Sequence, residues 1–217
     1  MKLLLSSNGF SNKGISDAFW DMVGKEPKDT SLVFIPTASN IEIGDKDWLI
    51  NDLINIKKQG FGSVAITDIS AVPEDIWRPQ LEEADVLFFE GGNTYHLMRW
   101  INESGLIKLL PEMLKTKVYV GLSAGSMVTG PDLALRLSQI IYAEDMEEEL
   151  MDGLKLVDFY FLPHLNSPHF SARIEENLRE AMKDIKRKTY MLDDQSALKI
   201  IDGNIEVVGG GEYLEFN

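Results

Sequence analysis

Short runs of consecutive apolar residues alternate along the chain with longer stretches in which apolar residues recur at helical spacing. The apolar runs, each of which predicts a strand, cover residues 2–7, 31–39, 63–69, 85–92, 117–120 and 156–166. Helical spacing extends over residues 16–24, 47–61, 74–84, 94–116 and 171–188, with breaks predicted near Pro79 and Gly105. The last part of the chain, from residue 189 onwards, predicts short strands with a hairpin turn at "DGN".

More detailed predictions can be made for the first two of these helices. Ser16 is predicted to cap the first helix and Gly24 to end it. In the helix at 47–61, the predicted apolar face consists of Trp48, Leu49, Leu53, Ile54 and Ile56.

Strands without polar positions, separated by helices, indicate a parallel sheet that is covered on both faces. The predicted fold is therefore a doubly wound three-layer α/β/α domain with a mostly parallel sheet. A length of 217 residues favours one domain over 1–217. Functional residues of such folds collect at the carboxyl ends of the strands, where the segments 90–93, 121–125 and 162–166 lie.

Composition narrows the possible partners and chemistry. A net charge of −14 and a pI of about 4.6 argue against nucleic acid and anionic membrane surfaces as partners. Because there is no cysteine, disulfides, thiolate metal sites and a cysteine nucleophile are excluded. The N-terminal apolar run is too short for a signal peptide, and no run approaches a membrane span. A cytoplasmic location is therefore expected.

The segment "GLSAG" at 121–125 places Gly-x-Ser-x-Gly directly after an apolar run. At a strand-to-helix turn this pattern forms a nucleophile elbow, in which a strained serine projects from the sheet edge. Ser123 would be the nucleophile, and the backbone N–H of Ala124 would help to bind an oxyanion. The alternative interpretation is a small-residue turn that lets a helix pack closely on a strand.

A serine nucleophile needs a base, and the ordinary candidates are three histidines, His96, His164 and His169. His164 is favoured because it follows an apolar strand, where a parallel sheet would bring it beside Ser123. A third group should orient the imidazole. Spacing alone does not choose among the acids between Ser123 and His164, which are Asp132, Glu144, Asp145, Glu147–Glu149, Asp152 and Asp158.

The segment "EGGN" at 90–93 also ends a predicted strand. Its paired glycines allow the backbone to approach a ligand closely, and Gly92 would supply a second oxyanion N–H. Asn93 would cap the next helix and contact the substrate as well. Phosphate binding is the competing interpretation, but the segment lacks the Lys of a P-loop and the third glycine of a dinucleotide fingerprint.

Taken together, the motifs resemble those of the peptidase E family, which are serine dipeptidases with a class I glutamine-amidotransferase-like (flavodoxin-like) fold. The resemblance covers most of the chain in order and spacing. It rests on "FIPTAS" (34–39), "FFEGGNTYHL" (88–97), "VGLSAGSMV" (120–128), "LVDFYFLPHLN" (156–166) and "DDQSAL" (193–198). Family members are similar in cleaving dipeptides with an N-terminal aspartate, and cyanophycinases share the scaffold.

This resemblance implies roles for several residues. Ser123 would be the nucleophile and His164 the base, with oxyanion N–H groups from Ala124 and Gly92. The acid of the family corresponds best to Asp145 in "AEDME", with Glu144 as the alternative.

An arginine of the family that pairs with the substrate aspartate corresponds to Arg173. The loop before it is shorter in this chain than in the family. Because of that difference, isoaspartyl peptides or other short peptides remain alternative substrates. The activity on them could resemble that of a carboxypeptidase. A ligand-binding relative without turnover is the alternative from another functional class.

The sequence thus predicts a serine peptidase that hydrolyses short peptides through an acyl-enzyme, with dipeptides carrying an N-terminal Asp as the expected substrates. No metal and no cofactor are expected. The expected partner is the peptide itself, with no nucleic acid and no membrane, and the protein is expected to be a monomer or a homodimer.

Overall fold

The structure, a computed structural model, describes residues 1–133 and 151–217. Seven of the described strands form the main sheet: β1 (Lys2–Ser6), β2 (Ser31–Ile35), β3 (Ser63–Ile66), β4 (Val86–Phe89), β5 (Val118–Leu122), β8 (Ala197–Ile201) and β9 (Asn204–Val208). Their order is β3-β2-β4-β5-β1-β8-β9. Neighbours among the first five strands pair in parallel, and β8 and β9 continue the sheet antiparallel.

A second, smaller sheet lies beside the first. It contains three strands, β6 (Tyr160–Leu162), β7 (Thr189–Leu192) and β10 (Tyr213–Phe216), in the order β10-β7-β6. β6 runs parallel to β7, so their carboxyl ends lie side by side. The predicted strand at 156–166 is thus much shorter than expected and belongs to this sheet.

Helices cover both faces of the main sheet. The described helices are α1 (Lys13–Val23), α2 (Thr37–Asn40), α3 (Asp47–Lys58), α4 (Glu74–Glu83), α5 (Thr94–Glu103), α6 (Leu106–Met113), α7 (Ala124–Met127) and α8 (Glu175–Ala181), with 3₁₀ turns at Pro27–Asp29 and Met182–Asp184. Alternate residues of β4 point to opposite cores. Val86 and Phe88 pack with α1 and α3, whereas Leu87 and Phe89 pack with α4, α5 and α6. This arrangement confirms the predicted three-layer α/β/α fold with a mostly parallel sheet.

Local signals explain several helix ends. Asn12, and not Ser16, caps α1, because its Oδ1 accepts the N–H of Ile15 at 3.0 Å. Gly24 ends the helix as predicted, in the left-handed conformation at φ 72°. Pro79 stays inside α4, which does not break. Gly105 separates α5 from α6 as predicted.

The inward face of α3 matches the prediction in part. Ile56 is buried and Leu49 and Leu53 pack against the same core, as predicted, but Trp48 is 37% exposed and Ile54 is 44% exposed, while Asp52 is only 7% exposed. Helical spacing gives the period of a pattern but not the direction in which each face points. The described helices include none that is long and apolar enough to cross a membrane.

Candidate active site

Ser123 occupies a strained turn between β5 and α7. Its backbone has φ 47° and ψ −104°, a conformation that a residue with a side chain rarely adopts. The N–H of Ser123 donates to Ser6 O at 2.9 Å. Next to it, Ser126 Oγ accepts the N–H of Ser6 and donates to its carbonyl, so the start of α7 is tied to β1.

Both flanking glycines are required by close backbone contacts. A Cβ at Gly121 would lie 2.6 Å from Gly125 O, and one at Gly125 would lie 2.1 Å from Phe89 O. Real Cβ atoms do not approach backbone oxygens so closely. The turn at "GLSAG" therefore has the geometry of a nucleophile elbow.

His164 connects Ser123 to a carboxylate. The hydroxyl of Ser123 is 3.0 Å from His164 Nε2, and His164 Nδ1 is 2.6 Å from Asp194 Oδ1. The imidazole stacks on the ring of Phe170, with 4.4 Å between centroids and 13° between planes. The backbone N–H of His164 donates to Ser7 Oγ at 3.3 Å. With Nδ1–H donating to Asp194, Nε2 is free to accept the serine proton.

The small sheet places the two partners of Ser123. His164 follows β6 and Asp194 follows β7, and these strands are parallel neighbours. The N–H of Leu165 and the hydroxyl of Ser7 both donate to Leu192 O, at 2.9 and 2.8 Å, which joins this sheet to the end of β1. His164 thus lies beside Ser123 as predicted, although its strand does not belong to the main sheet.

Among the described residues the acid next to His164 Nδ1 is Asp194, which was not among the acids named from the sequence. Asp145 and Glu144 fall in 134–150, outside the described residues. Asp194 was not predicted from the sequence, because the candidate acids were limited to the residues between Ser123 and His164. The available signal was "DD" directly after an apolar strand, inside the family-like segment "DDQSAL".

The hydrogen-bonded residues Ser123, His164 and Asp194 line a cavity of about 950 Å³. Predicted site residues that line it are Gly92, Asn93, Ser123, His164 and Arg173. Ala124, at the start of α7, is buried beside it. Asn93 also caps α5, because its Oδ1 accepts the N–H of His96 at 2.8 Å.

Gly92 holds an unusual backbone conformation at φ 123°, and a Cβ there would lie 2.4 Å from Ala38 O. The N–H of Asn93 donates to that same carbonyl at 2.9 Å. Only glycine fits this position, so the loop after β4 lies against α2 with its backbone facing the cavity.

Comparisons with known proteins decide the family. The model of Peptidase family S51 matches residues 3–208. The chain belongs to this family. It is therefore a serine-type peptidase.

Related proteins agree with that assignment. An uncharacterised peptidase of Listeria innocua is 30% identical over 81% of this chain and 82% of its own length. Peptidase E of Streptomyces coelicolor is 29% identical over 97% of this chain and 84% of its own. A crystal structure assigned to peptidase E, from Listeria monocytogenes, has a TM-score of 0.78 at 25% identity, covering 95% of this chain and 96% of that one.

In this S51 member Arg173 is only 5% exposed. Its Nη1 donates to Pro163 O at 2.7 Å, and the guanidinium lies 4.4 Å from the centroid of the Phe170 ring. Burial lowers the pKa of Arg173 to about 9, so the group is still charged at neutral pH. Arg173 thus lines the cavity and also holds the segment that follows His164.

Asp194 is well suited to accept from an imidazole. Burial alone would raise the pKa of Asp194. The hydrogen bond with His164 and the charge of Arg173 lower it by more, so the pKa is lowered overall. The carboxylate is therefore ionised at neutral pH. The described residues contain no group of three or more His, Cys, Asp or Glu that could hold a metal ion.

Two carboxyl groups that belong to Glu90 and Asp52 lie together near the site. Glu90, at the end of β4, is fully buried, and its carboxyl group lies against the carboxyl group of Asp52 and the backbone of Gly91. Burial and the neighbouring Asp52 raise the pKa of Glu90 well above its ordinary value of 4.5. Burial raises the pKa of Asp52 to about 6. Sequence analysis gave neither residue a role.

This pair makes stability depend on pH. Glu90 and Asp52 hold more protons in the folded protein than in the unfolded chain above pH 4.5, so their contribution to the free energy of unfolding should fall as pH rises through 6 and beyond. We expect Glu90→Gln to remove much of that fall and to be more stable than the original protein at pH 8. Urea unfolding at pH 5 and pH 8 measures it. Equal pH dependence in both proteins would show that Glu90 ionises freely.

Proposed function

We propose that the protein hydrolyses short peptides through an acyl-enzyme formed on Ser123, with His164 as the base and Asp194 as the acid that orients it. The observation that carries this proposal is the continuous hydrogen-bonded chain from Ser123 Oγ through His164 to Asp194, at 3.0 and 2.6 Å. These three residues line a cavity that is large enough for a short peptide. The protein also belongs to a peptidase family.

The proposed reaction has two halves. His164 Nε2 takes the proton of Ser123 while Oγ attacks the peptide carbonyl, and the resulting imidazolium returns that proton to the leaving amine. The acyl group then remains on Ser123. Water, deprotonated by the same nitrogen, attacks the ester carbonyl and releases the carboxylic acid and the free serine. Asp194 stays ionised throughout and stabilises the imidazolium.

Backbone N–H groups would stabilise the tetrahedral oxyanion. The proposed donors are Ala124, at the first position of α7, and Gly92, whose conformation keeps its backbone at the cavity. Asn93 would contact the peptide from the same loop. Each donor in such a site typically contributes on the order of 10²-fold or more to kcat.

For substrate preference we retain dipeptides with an N-terminal Asp, bound through Arg173. A guanidinium binds a carboxylate through two parallel hydrogen bonds, and a cation in the cavity offsets the net charge of −14. The stacking of Arg173 on Phe170 leaves it close to His164, the residue that acts on the scissile bond.

Replacing Arg173 by methionine is expected to remove a preference for Asp over Asn peptides, by about tenfold or more in kcat/KM, because the charge-assisted hydrogen bonds are lost. The measurement is kcat/KM for one Asp dipeptide and its Asn analogue. Arg179→Met, an exposed arginine of α8 that pairs with Glu175, is the matched control. If the preference for Asp over Asn peptides survives in Arg173→Met, the role of Arg173 is limited to holding the loop that follows His164.

The experiment that tests the proposed function is a panel of dipeptides and longer peptides, followed by mass spectrometry. The panel includes N-terminal Asp, Asn and isoaspartyl members. Cleavage of short members that requires Ser123 supports the proposal. Failure to cleave any member, by a folded protein, would contradict it.

A further inference from the structure

The side of α3 that faces away from the active-site cavity carries exposed apolar side chains. The inward side of the helix contributes to the core through Leu49, Leu53 and Ile56. A second side lines the cavity with Asn51 and Asn55. Ile50 and Ile54 lie on the remaining side, about one turn apart, and are 53% and 44% exposed. Because the cavity is at Ser123, toward the middle of the sheet, this remaining side faces the edge strand β3.

The edge strand β3 adds two more exposed apolar side chains on the same face of the sheet. Val64 and Ile66 are 42% and 57% exposed. They pair in register with Leu32 and Phe34 of β2, whose side chains belong to the core beneath α1 and α3. Residues paired in register point to the same face, so Val64 and Ile66 lie on the face that α3 covers. We call the four exposed side chains the edge patch: Ile50, Ile54, Val64 and Ile66.

The outer edge of β3 lacks the features that usually protect an edge strand. Among the described strands β3 pairs only with β2, so its outer edge has no neighbouring strand there. Edge strands of monomeric proteins are commonly protected by a charged residue or a proline, and "SVAI" (63–66) contains neither. Exposed apolar surface of this kind marks an interaction site.

Charged residues flank the two isoleucines of α3 in an arrangement that is complementary to itself. Spacings of three, four and three residues place four side chains in one line along the helix, which we call the α3 stripe: Asp47, Ile50, Ile54 and Lys57. Asp47 and Lys57 are exposed, and neither forms an ion pair among the described residues. Asp47, at the first helical position, also borders the cavity.

A half-turn about the middle of the α3 stripe exchanges its two ends. Asp47 of one copy then faces Lys57 of the other copy. In the same way, Ile50 faces Ile54. Two-fold interfaces require a surface that is complementary to itself, and the α3 stripe meets this requirement when the two helices run antiparallel. The partner that fits best is therefore a second copy of this chain.

We propose that the edge patch and the α3 stripe form a two-fold interface with a second copy of the protein. The two α3 helices pack antiparallel, with an Asp47–Lys57 ion pair at each end and the isoleucines between them. Val64 and Ile66 of each β3 lie beside the helix pair and are removed from water. Opposite charges fix the orientation, because parallel helices would place like charges together. The interface lies outside the catalytic residues, so the inference does not depend on the proposed reaction.

Sedimentation velocity of the unmodified protein and of apolar variants tests the interface. We expect a species of twice the chain mass of 24.4 kDa to form between about 1 and 100 μM chain, where modest interfaces associate. Ile54→Ser is expected to raise the Kd of the dimer about tenfold or more, because each interface contains the substitution twice. Ile76→Ser is the matched control, since Ile76 is 49% exposed on α4, which covers the opposite face of the sheet.

Charge reversal tests the antiparallel arrangement. Asp47→Lys alone and Lys57→Asp alone each place like charges together twice in a dimer, so each protein is expected to be mainly monomeric. An equimolar mixture of the two variants pairs opposite charges at both ends and is expected to recover the dimer. Both substitutions in one chain are expected to recover it as well. Asp17→Lys, at an exposed site on α1, is the control that changes the net charge as Asp47→Lys does.

The same measurements define the results that would overturn the proposal. One is an unmodified protein that stays monomeric at the highest concentration. Another is a dimer whose Kd changes equally in Ile54→Ser and Ile76→Ser, or in Asp47→Lys and Asp17→Lys, since the interface would then lie elsewhere. A mixture of the two charge variants that stays monomeric would exclude the antiparallel pairing of α3. Circular dichroism of each variant checks that these exposed substitutions leave the fold intact.

Discussion

Replacing Ser123 by alanine is expected to lower kcat by roughly 10⁴- to 10⁶-fold on any peptide that the protein cleaves, because the proposed acyl-enzyme forms on its hydroxyl. Ser123 Oγ is the atom at 3.0 Å from His164 Nε2. The fold should be unaffected, since the backbone contacts that define the turn do not involve the hydroxyl, and the variant removes only one oxygen atom.

The measurement is kcat for the best substrate of the panel, with the unfolding midpoint as a check on the fold. Ser63→Ala is a matched control, since Ser63 is an exposed residue at the first position of the edge strand β3, at the opposite end of the parallel strands from Ser123. Turnover by a folded Ser123→Ala protein at more than a trace of the original rate would remove Ser123 from the centre of the mechanism.

Asp194→Asn is expected to lower kcat by roughly 10⁴-fold, as the loss of the orienting acid does in other triads. An amide at this position can donate to Nδ1 and so favours the tautomer in which Nε2 already carries a proton. That tautomer cannot take the proton of Ser123. The effect should fall on kcat, because Asp194 acts through His164 and not on the bound peptide.

Comparing Asp194→Asn with Asp145→Asn shows which of the two acids orients His164. The resemblance to the peptidase E family favours Asp145, whereas the geometry favours Asp194 through its 2.6 Å contact with His164 Nδ1. We expect Asp145→Asn to retain much more activity than Asp194→Asn, measured as kcat under the same conditions. The reverse ranking would return the role to the acid named from the sequence.

The fold could be predicted because its determinants are local. The apolar runs of β1, β2, β4 and β5 and the amphipathic pattern of α5 and α6 specify a covered parallel sheet. The strained turn at Ser123 was equally visible, since glycines at 121 and 125 are the residues that its backbone contacts demand. His164 could be chosen from its place after a strand, even though that strand joins the small sheet.

Other features could not be read from the sequence because they depend on contacts between distant segments. Asp194 reaches His164 only because β6 and β7 pair in parallel. The pair Asp52 and Glu90 forms where α3 meets the end of β4, and helical spacing alone did not show that α3 turns Asp52 inward. Asp52 and Glu90 are two among 35 Asp and Glu residues and have no distinguishing pattern, whereas Asp194 is distinguished only by its place after an apolar strand.

Covalent labelling tests whether Ser123 is a nucleophile activated by His164 and Asp194. The protein is incubated with a fluorophosphonate, and the adduct is located by intact mass and peptide mapping. We expect a single adduct on Ser123, absent from Ser123→Ala and formed much more slowly in Asp194→Asn. A folded protein that forms no adduct, or forms it on another residue, would show that Ser123 is not an activated nucleophile.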